Sequence, residues 1–333
     1  MRNRIASVAI PVLLLLLAAN GAFADTARNR KALDEFKHVV SSRYIYKDYK
    51  NVYWDALYAK YEYRILGSRT DDEFAVSLNE LTKELKDLHF RVADSSNRYL
   101  PSDTRDLKAN YNLEAIPQIV QNLTELSGSI SIGRIDKVGY IMIKSWDVGD
   151  PAYYRTLAQE LFRRLFQNTS GLIIDVRMNP GGYIVGAEAF ARRFSSQRLL
   201  AAYHHSLDRT GNLVKTEYYL EGERDDYAKP VIVLMGNCSG SATEHFILQM
   251  QAVPRVRTMG DYTGGLTGVP VGYRLSNGVQ ISVPSMALMD LRNTYIEEYG
   301  IRPDESVRFV QNASDNVLVH AFKKLGAKVA AGQ

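Results

Sequence analysis

Apolar positions recur at helical spacing through the first part of the chain. Between residues 27 and 88 they fall three to four residues apart in three runs, the pattern of one buried face on each of three helices. The third run opens after Asp71 and Asp72, residues typical of a helix N-terminus. The apolar positions are Leu33, Phe36, Val39, Val40, Trp54, Leu57, Tyr58, Tyr61, Phe74, Leu78, Leu81 and Leu85. Residues 25–95 are therefore predicted to form a small helical bundle.

The pattern changes after a polar segment, residues 96–130, which we interpret as a connection. From residue 131 onward, short apolar runs alternate with helical stretches. The predicted elements are a hairpin at 130–135 and 140–143, helices at 151–166, 185–194, 241–251 and 313–329, and strands at 172–176, 231–235, 256–260, 271–275 and 279–284. Strands that alternate with helices indicate crossovers between parallel strands. Residues 131–333 are therefore predicted to form an α/β core with a mainly parallel sheet.

Composition and charge narrow the class of protein. The 333 residues are 46% hydrophobic and 23% charged, which indicates a globular chain. The net charge of +4 is mild, and the Lys and Arg residues are scattered instead of forming a block. Because nucleic-acid binding depends on clustered positive charge, no nucleic-acid partner is expected.

The N-terminus has the three parts of a secretory signal peptide. Arg2 and Arg4 precede an apolar run from Val8 to Ala19, and Ala22-Phe23-Ala24 gives a small-residue cleavage pattern. The apolar run is shorter than the ~20 residues that a membrane-spanning helix needs. Residues 1–24 are therefore predicted to be removed on export. The mature protein would be periplasmic or secreted, with no stable membrane anchor.

Cysteine and histidine usage argues against a metal or disulfide framework. Cys238 is the only cysteine, so neither an intramolecular disulfide nor a cysteine-based zinc site is expected. None of the six histidines forms an H-x-x-x-H pair with an adjacent acid. We expect no metal and no cofactor.

Two glycine-containing turns leave predicted strands and enter predicted helices, where ligands of parallel sheets bind. One covers Asp175–Gly182 and the other Asn237–Glu244. In the second turn, Ser241 begins a helix, where unpaired N–H groups could stabilise an oxyanion. Ser241 could also serve only as a helix cap, and Ser239 is a rival nucleophile by the same logic.

Several segments in chain order resemble the C-terminal processing protease and tricorn-core family of serine peptidases. They are Leu85–His89 (family pattern Leu-x-Asp-Gly-His), Asp175–Gly182 (Asp-x-Arg-x-Asn-x-Gly-Gly), Asn237–Glu244 (the nucleophile turn), and the closing segments Gly260–Gly265 and Glu297–Asp304. The resemblance runs from about residue 30 to residue 310. It implies a core of the ClpP/crotonase type, a serine endopeptidase activity, and a peptide or unfolded protein as substrate.

The resemblance also implies the catalytic roles. Ser241 would be the nucleophile. Where the tail-specific branch has a Lys base, this chain has Leu266, which cannot take a proton. In the tricorn-like branch a His serves instead, and His89 stands at that place, supported indirectly by Glu297 or, as second choice, Glu298. Leu88 replaces the family's Gly.

The oxyanion would be held by backbone N–H groups on both turns. Ala242 is expected to supply one, and Gly181 or Gly182 the other. Only about fifty residues separate His89 from the strand near Tyr140, so a PDZ domain is not expected.

Two alternatives remain at this stage. The retinoid-binding repeats similar to this family use the fold without catalysis, so the protein could bind an apolar ligand or a peptide. An esterase of the α/β-hydrolase type would need His320 after Ser241, but the G-x-S-x-G elbow is missing. No motif specifies an oligomeric state.

Overall fold

The computed structural model describes residues 9–102, 105–224 and 226–329, with side chains from residue 26 onward except at 164 and 165. The first eight residues of the predicted signal peptide thus lie outside the described residues. Among the described residues, no helix has both the length and the apolar character needed to cross a membrane.

The described residues divide into two compact units. The first unit draws on Met1–Arg105, Ser206–Leu213 and Val269–Met286, and the second on Asp106–His205, Val214–Gly268 and Ala287–Gln333. The helices are α1 (Ala9–Arg43), α2 (Trp54–Leu66), α3 (Asp71–Lys83), α4 (Ile116–Ile119), α5 (Pro151–Glu160), α6 (Ile184–Ala191), α7 (Ala242–Gln251) and α8 (Asn316–Lys324). A π-helical turn, Leu161–Leu165, extends α5, and a 3₁₀ turn, Arg192–Phe194, extends α6.

The strands form two sheets. They are β1 (Arg91–Val92), β2 (Gln121–Ser127), β3 (Ile130–Ile135), β4 (Val138–Ile143), β5 (Gly171–Asp175), β6 (Leu199–Leu207), β7 (Leu213–Leu220), β8 (Val231–Met235), β9 (Val256–Gly260), β10 (Val269–Arg274), β11 (Gln280–Met289) and β12 (Glu305–Ser306). One sheet has seven strands in the order β12-β9-β8-β5-β4-β3-β2. The other has the order β1-β11-β6-β7, with β10 also paired to β11.

The predicted N-terminal helices are confirmed, and local signals explain their limits. Helix α3 is capped by Thr70, whose side chain accepts a hydrogen bond from the Glu73 N–H at 3.1 Å. Its apolar face, including Phe74 and Leu78, is fully buried. Aromatic rings fill much of this unit, with Phe90 packing edge-on against Phe36. The phenylalanines of the bundle, together with Tyr44 and Tyr46, are therefore core residues, whereas Tyr53 and Tyr63 are exposed.

The predicted mainly parallel sheet is confirmed in the second unit. Strands β12, β9, β8, β5 and β4 run parallel, and β3 and β2 add an antiparallel meander at the β4 edge. Side chains alternate between two cores: Ile174 belongs to one and Ile173 to the other. Because both faces are covered, the strands read as continuous apolar runs.

The register of two central strands brings the glycine turns together. Strands β5 and β8 are parallel neighbours, with Asp175 opposite Leu234. Their carboxyl ends therefore lie side by side at one edge of the sheet. The turn after β5 carries Gly181 and Gly182, and the turn after β8 carries Ser241.

Candidate active site

Ser241 lies at the tight turn between β8 and α7. Its backbone has φ 54° and ψ −123°, a conformation that a non-glycine residue adopts only at a strain of about 1–3 kcal/mol. Ser241 occupies the N-cap position of α7 and forms a capping box with Glu244, whose side chain accepts the Ser241 N–H.

The rival serine is used structurally. The hydroxyl of Ser239 donates to the Val176 carbonyl at 2.8 Å and accepts from the Gly236 N–H at 3.1 Å. Ser239 is completely buried, whereas Ser241 is partly exposed. Of the two hydroxyls in this turn, Ser241 is the one that a substrate could reach.

A fully buried carboxylate fixes the backbone of Ser241. Oε2 of Glu244 accepts the Ser241 N–H and the Leu266 N–H, each at 2.9 Å. Oε1 accepts the Thr263 hydroxyl at 2.5 Å and the Gly265 N–H at 2.8 Å. Burial raises the pKa of Glu244 to about 7, although the four hydrogen bonds oppose that shift. Glu244 thereby connects the nucleophile turn to the loop at 263–266.

The first glycine turn packs directly against Ser241. A Cβ added at Gly181, where φ is 118°, would lie 2.7 Å from the Ser241 Cβ and 3.1 Å from the Ala242 nitrogen. The backbone of Gly181 is therefore in contact with the turn that carries Ser241. The Gly240 N–H donates to the Asn179 carbonyl at 3.1 Å, which ties the two turns together.

The two glycine amides have different environments. The Gly181 N–H donates to Oδ1 of Asn179 at 2.9 Å, so an oxyanion would have to compete for it. A Cβ at Gly182, where φ is 135°, would lie 2.2 Å from the Trp146 carbonyl oxygen, so only glycine fits there. The N–H of Ala242 is one of the first-turn amides of α7, which have no acceptor within the helix.

The first glycine turn rests on a buried ion-pair network. Arg177 binds Asp175 through two hydrogen bonds, at 2.9 and 2.7 Å, and Asp315 through one at 2.9 Å. All three side chains are fully buried. The hydroxyl of Tyr140 donates to Asp175 at 2.9 Å. Asp175 and Arg177 therefore shape the turn.

Replacing Arg177 by Met should destabilise the fold by about 3–5 kcal/mol, because Asp175 and Asp315 would remain buried without their cation. The measurement is the urea midpoint of unfolding. Arg155→Met, at an exposed position on α5, is the matched control and should leave the midpoint unchanged. Equal midpoints for the two variants would show that the network does not stabilise the turn.

His89 lies in the first unit on a loop held by a buried acid. Oδ2 of Asp87 accepts the Tyr44 hydroxyl at 2.9 Å, and Oδ1 accepts the His89 N–H at 3.0 Å. Nδ1 of His89 is buried and makes no hydrogen bond among the described residues. Burial lowers the pKa of His89, and the positive charges of Arg91 and Arg105 lower it further, while Asp87 acts in the opposite direction. The imidazole is therefore neutral at pH 7, as a general base requires.

The two candidate acids face different ways. Glu297 is buried, and its Oε2 accepts the Thr267 N–H at 3.0 Å. The adjacent Glu298 is exposed and has a φ of 73°. Leu266, at the position of the family's Lys, is buried. Of the two glutamates, Glu297 is the one directed into the protein.

The remaining reactive side chains have other roles. His320 is half exposed on α8 and pairs with Glu305 at 2.8 Å, a surface contact. Burial raises the pKa of the Cys238 thiol, which disfavours the nucleophilic thiolate. Among the described residues, no group of three or more His, Cys, Asp or Glu side chains could hold a metal ion.

The structure thus brings Ser241, Ala242 and Gly181 together in the second unit, where Glu297 also lies. His89 belongs to the first unit, and its pairing with Ser241 remains a prediction. Sequence reasoning missed the contact of Glu244 with the Ser241 amide. The signal was present, because Ser-x-x-Glu is the capping-box pattern in which the Glu binds the N-cap amide.

A strained serine turn at the carboxyl edge of a mainly parallel sheet, with helix-start amides beside it, is an arrangement that suits a hydrolase working by acyl transfer. Comparison with known families makes this specific. Residues 137–307 match peptidase family S41, and residues 25–83 match the tricorn protease C1 domain. The chain belongs to peptidase family S41, which confirms the resemblance seen in its motifs.

Curated relatives match about half of the chain. The carboxyl-terminal-processing protease of Synechocystis sp. is 26% identical over 170 residues, 51% of this chain and 38% of the relative. The tricorn protease of Thermoplasma volcanium is 26% identical over 176 residues, 52% of this chain and 15% of the relative. The chain therefore spans well under half of the length of these relatives.

Solved structures match nearly the whole chain. A Parabacteroides merdae protein has a TM-score of 0.74 at 25% identity and covers 90% of this chain and 98% of its own. Mature CPAF has a TM-score of 0.66 at 13% identity, with 91% and 97% covered. The second comparison bears on the fold alone. Together they support the α/β architecture with N-terminal helices.

Proposed function

We propose that the protein is an exported serine endopeptidase that cleaves peptides or unfolded proteins, with Ser241 as nucleophile. The observation that carries the proposal is the state of Ser241. Its backbone is held in a strained conformation, the residue is partly exposed, and the Ala242 amide follows it directly. Membership of peptidase family S41 supports the same reaction class.

In the proposed reaction, Ser241 attacks the peptide carbonyl while His89 takes its proton. The developing oxyanion is held by the Ala242 N–H and by one amide of the first glycine turn. Gly182 is the better candidate for that second amide, because the Gly181 N–H is bonded to Asn179. His89 then gives its proton to the leaving amine, and water releases the acyl group by the same route in reverse. Glu297 is the acid proposed to support His89.

The test is digestion of casein by the protein, with the products read by mass spectrometry. Cleavage should vanish in Ser241→Ala, because no other residue supplies the nucleophile. Ser239→Ala is the matched control two residues away. It should retain cleavage, although it loses two structural hydrogen bonds and some stability. A fluorophosphonate should label the wild-type protein at Ser241.

Cleavage that survives in Ser241→Ala and vanishes in Ser239→Ala would exchange the roles of the two serines. No cleavage by folded wild-type protein, together with no labelling, would contradict the peptidase proposal and favour the binding-protein alternative.

A further inference from the structure

A concave site lies in the second unit, and Ser241 is not among its lining residues. It is a pocket of about 560 Å³, within the size range of ligand sites. The residues that give it its character are Leu291, Arg292, Tyr295, Tyr299, Arg302 and Tyr262. We refer to it as the tyrosine pocket.

The tyrosine pocket offers aromatic surface to a ligand. Tyr299 is 69% exposed, Tyr262 is 41% exposed and Leu291 is 49% exposed, although all three are large apolar side chains. The hydroxyl of Tyr295 is bonded to Nδ1 of His205 at 2.9 Å, which fixes its ring in the wall. Exposed aromatic side chains that line one concavity indicate an interaction site.

The charged groups of the pocket differ in whether they already make hydrogen bonds or ion pairs within the protein. Oδ1 of Asp290 accepts the N–H groups of Arg292 and Thr294, at 2.9 and 2.8 Å. Oδ2 of Asp304, also in the lining, accepts two hydrogen bonds from Thr258. The guanidinium groups of Arg292 and Arg302, in contrast, make no ion pair with any described residue. Guanidinium groups bind carboxylates strongly, so a ligand carboxylate is the complementary group.

Helix α7 gives the distance from this pocket to the nucleophile. Leu248 and Gln251, near the end of α7, line the pocket, and Ser241 precedes its first residue. Leu248 and Gln251 lie seven and ten residues along the chain from Ser241, a helical rise of about 10–15 Å. An extended peptide covers about 3.3 Å per residue, so about three to five residues are needed to reach from one site to the other. The pocket is therefore too distant to hold the residues next to the cleaved bond.

The wall of the pocket is hydrogen-bonded to the nucleophile turn. Ile301 lines the pocket, and its N–H donates to the Thr263 hydroxyl at 2.7 Å. That hydroxyl donates to Glu244, which accepts the Ser241 N–H. A peptide seated in the pocket thus rests on a segment that also positions Ser241.

We propose that the tyrosine pocket is an exosite for a substrate segment in which a carboxylate lies beside an aromatic side chain, at least about three residues from the cleaved bond. The proposal rests on the proposed peptidase function. The carboxylate could belong to an Asp or Glu side chain or to a free C-terminus. Both present the same group to Arg292 and Arg302.

Binding is measured first, by fluorescence anisotropy with the full chain carrying Ser241→Ala. The probes are labelled ten-residue peptides that end in Phe-Asp-amide, Phe-Asn-amide or Phe-Asn with a free C-terminus. Phe-Asp-amide should bind about tenfold more tightly than Phe-Asn-amide, since a hydrogen bond to an ionised carboxylate is roughly twice as strong as one to a neutral amide. Tight binding of the third probe would show that a free C-terminal carboxylate is sufficient for binding to the pocket.

Pocket variants locate the binding. Added to Ser241→Ala, Arg292→Gln or Arg302→Gln should weaken Phe-Asp-amide about tenfold, and Tyr299→Ala should weaken both amides. Arg155→Gln, which removes an equally exposed charge on α5, is the control and should have no effect. Equal affinities for the Phe-Asp and Phe-Asn amides, or equal losses in Arg302→Gln and Arg155→Gln, would overturn the exosite.

Turnover by wild-type protein separates this proposal from the peptidase proposal. The sequence cleaved in casein is joined to Phe-Asp-amide by linkers of two or eight residues, on either side. On one side, the longer linker should lower KM about tenfold with kcat nearly unchanged, and Arg302→Gln should remove the difference. Cleavage without any dependence on linker or pocket would leave the peptidase standing and the exosite overturned. Pocket-dependent binding without turnover would support the exosite and contradict the peptidase proposal.

Discussion

His89→Ala should lower kcat as much as Ser241→Ala does, by about 10⁴- to 10⁶-fold, and the double variant should be no slower than either single variant. The reason is that nucleophile and base act as one unit, so the second substitution removes nothing that the first has left. The measurement is single-turnover cleavage of a casein-derived peptide at high enzyme concentration. His204→Ala provides a control, because this partly buried imidazole lies outside the proposed chemistry.

The pH profile of the wild-type protein tests the same assignment. Burial lowers the pKa of His89, so the base stays neutral below pH 6.5 and the acid side of the profile should fall with an apparent pKa below that value. If Glu244 were the base instead, its pKa of about 7 would place the fall in activity near pH 7. Activity that survives in His89→Ala with only an alkaline optimum would contradict the assignment and point to a lysine base.

The second unit was predictable because its strands carry their own signal. Strands β5 and β8 are buried on both faces and therefore appear as unbroken apolar runs, while glycines mark the turns that follow them. The apolar pattern did not predict strands β6 and β7. In β7, Leu213 to Glu217 are all exposed, so no alternation with buried positions marks the strand.

The candidate site was predictable only in its local parts. Ser241 and the glycine turns could be assigned because each lies within one motif of eight residues. The setting of His89 depends on Tyr44, which lies 43 residues before Asp87 in the chain. Glu244 gains its importance from Thr263, Gly265 and Leu266, whose convergence on one carboxylate depends on tertiary packing.

Glu244→Gln should lower kcat by about 10²-fold with KM nearly unchanged, since a small displacement of a nucleophile has an effect of that size. Each carboxylate oxygen of Glu244 accepts two hydrogen bonds. In the Glu244→Gln variant an NH₂ group replaces one of these oxygens, and it cannot accept the two hydrogen bonds at that position. Two buried donors would be left without acceptors, at about 1–3 kcal/mol each. Glu188→Gln is the control, because the Glu188 carboxylate, in the same unit, accepts one hydrogen bond among the described residues, from the Tyr218 hydroxyl.

The pH dependence of stability shows whether Glu244 is the titrating group. Its pKa is raised from 4.5 to about 7 in the folded protein, so the folded state binds more protons than the unfolded state between these pH values. The free energy of unfolding should therefore fall as pH rises from 4.5 to 7, and this component should be missing in Glu244→Gln. Full kcat in a stable Glu244→Gln protein would show that the carboxylate holds the loop without positioning Ser241. A parallel loss of kcat and of fluorophosphonate labelling rate, measured on folded protein, would establish the positioning role.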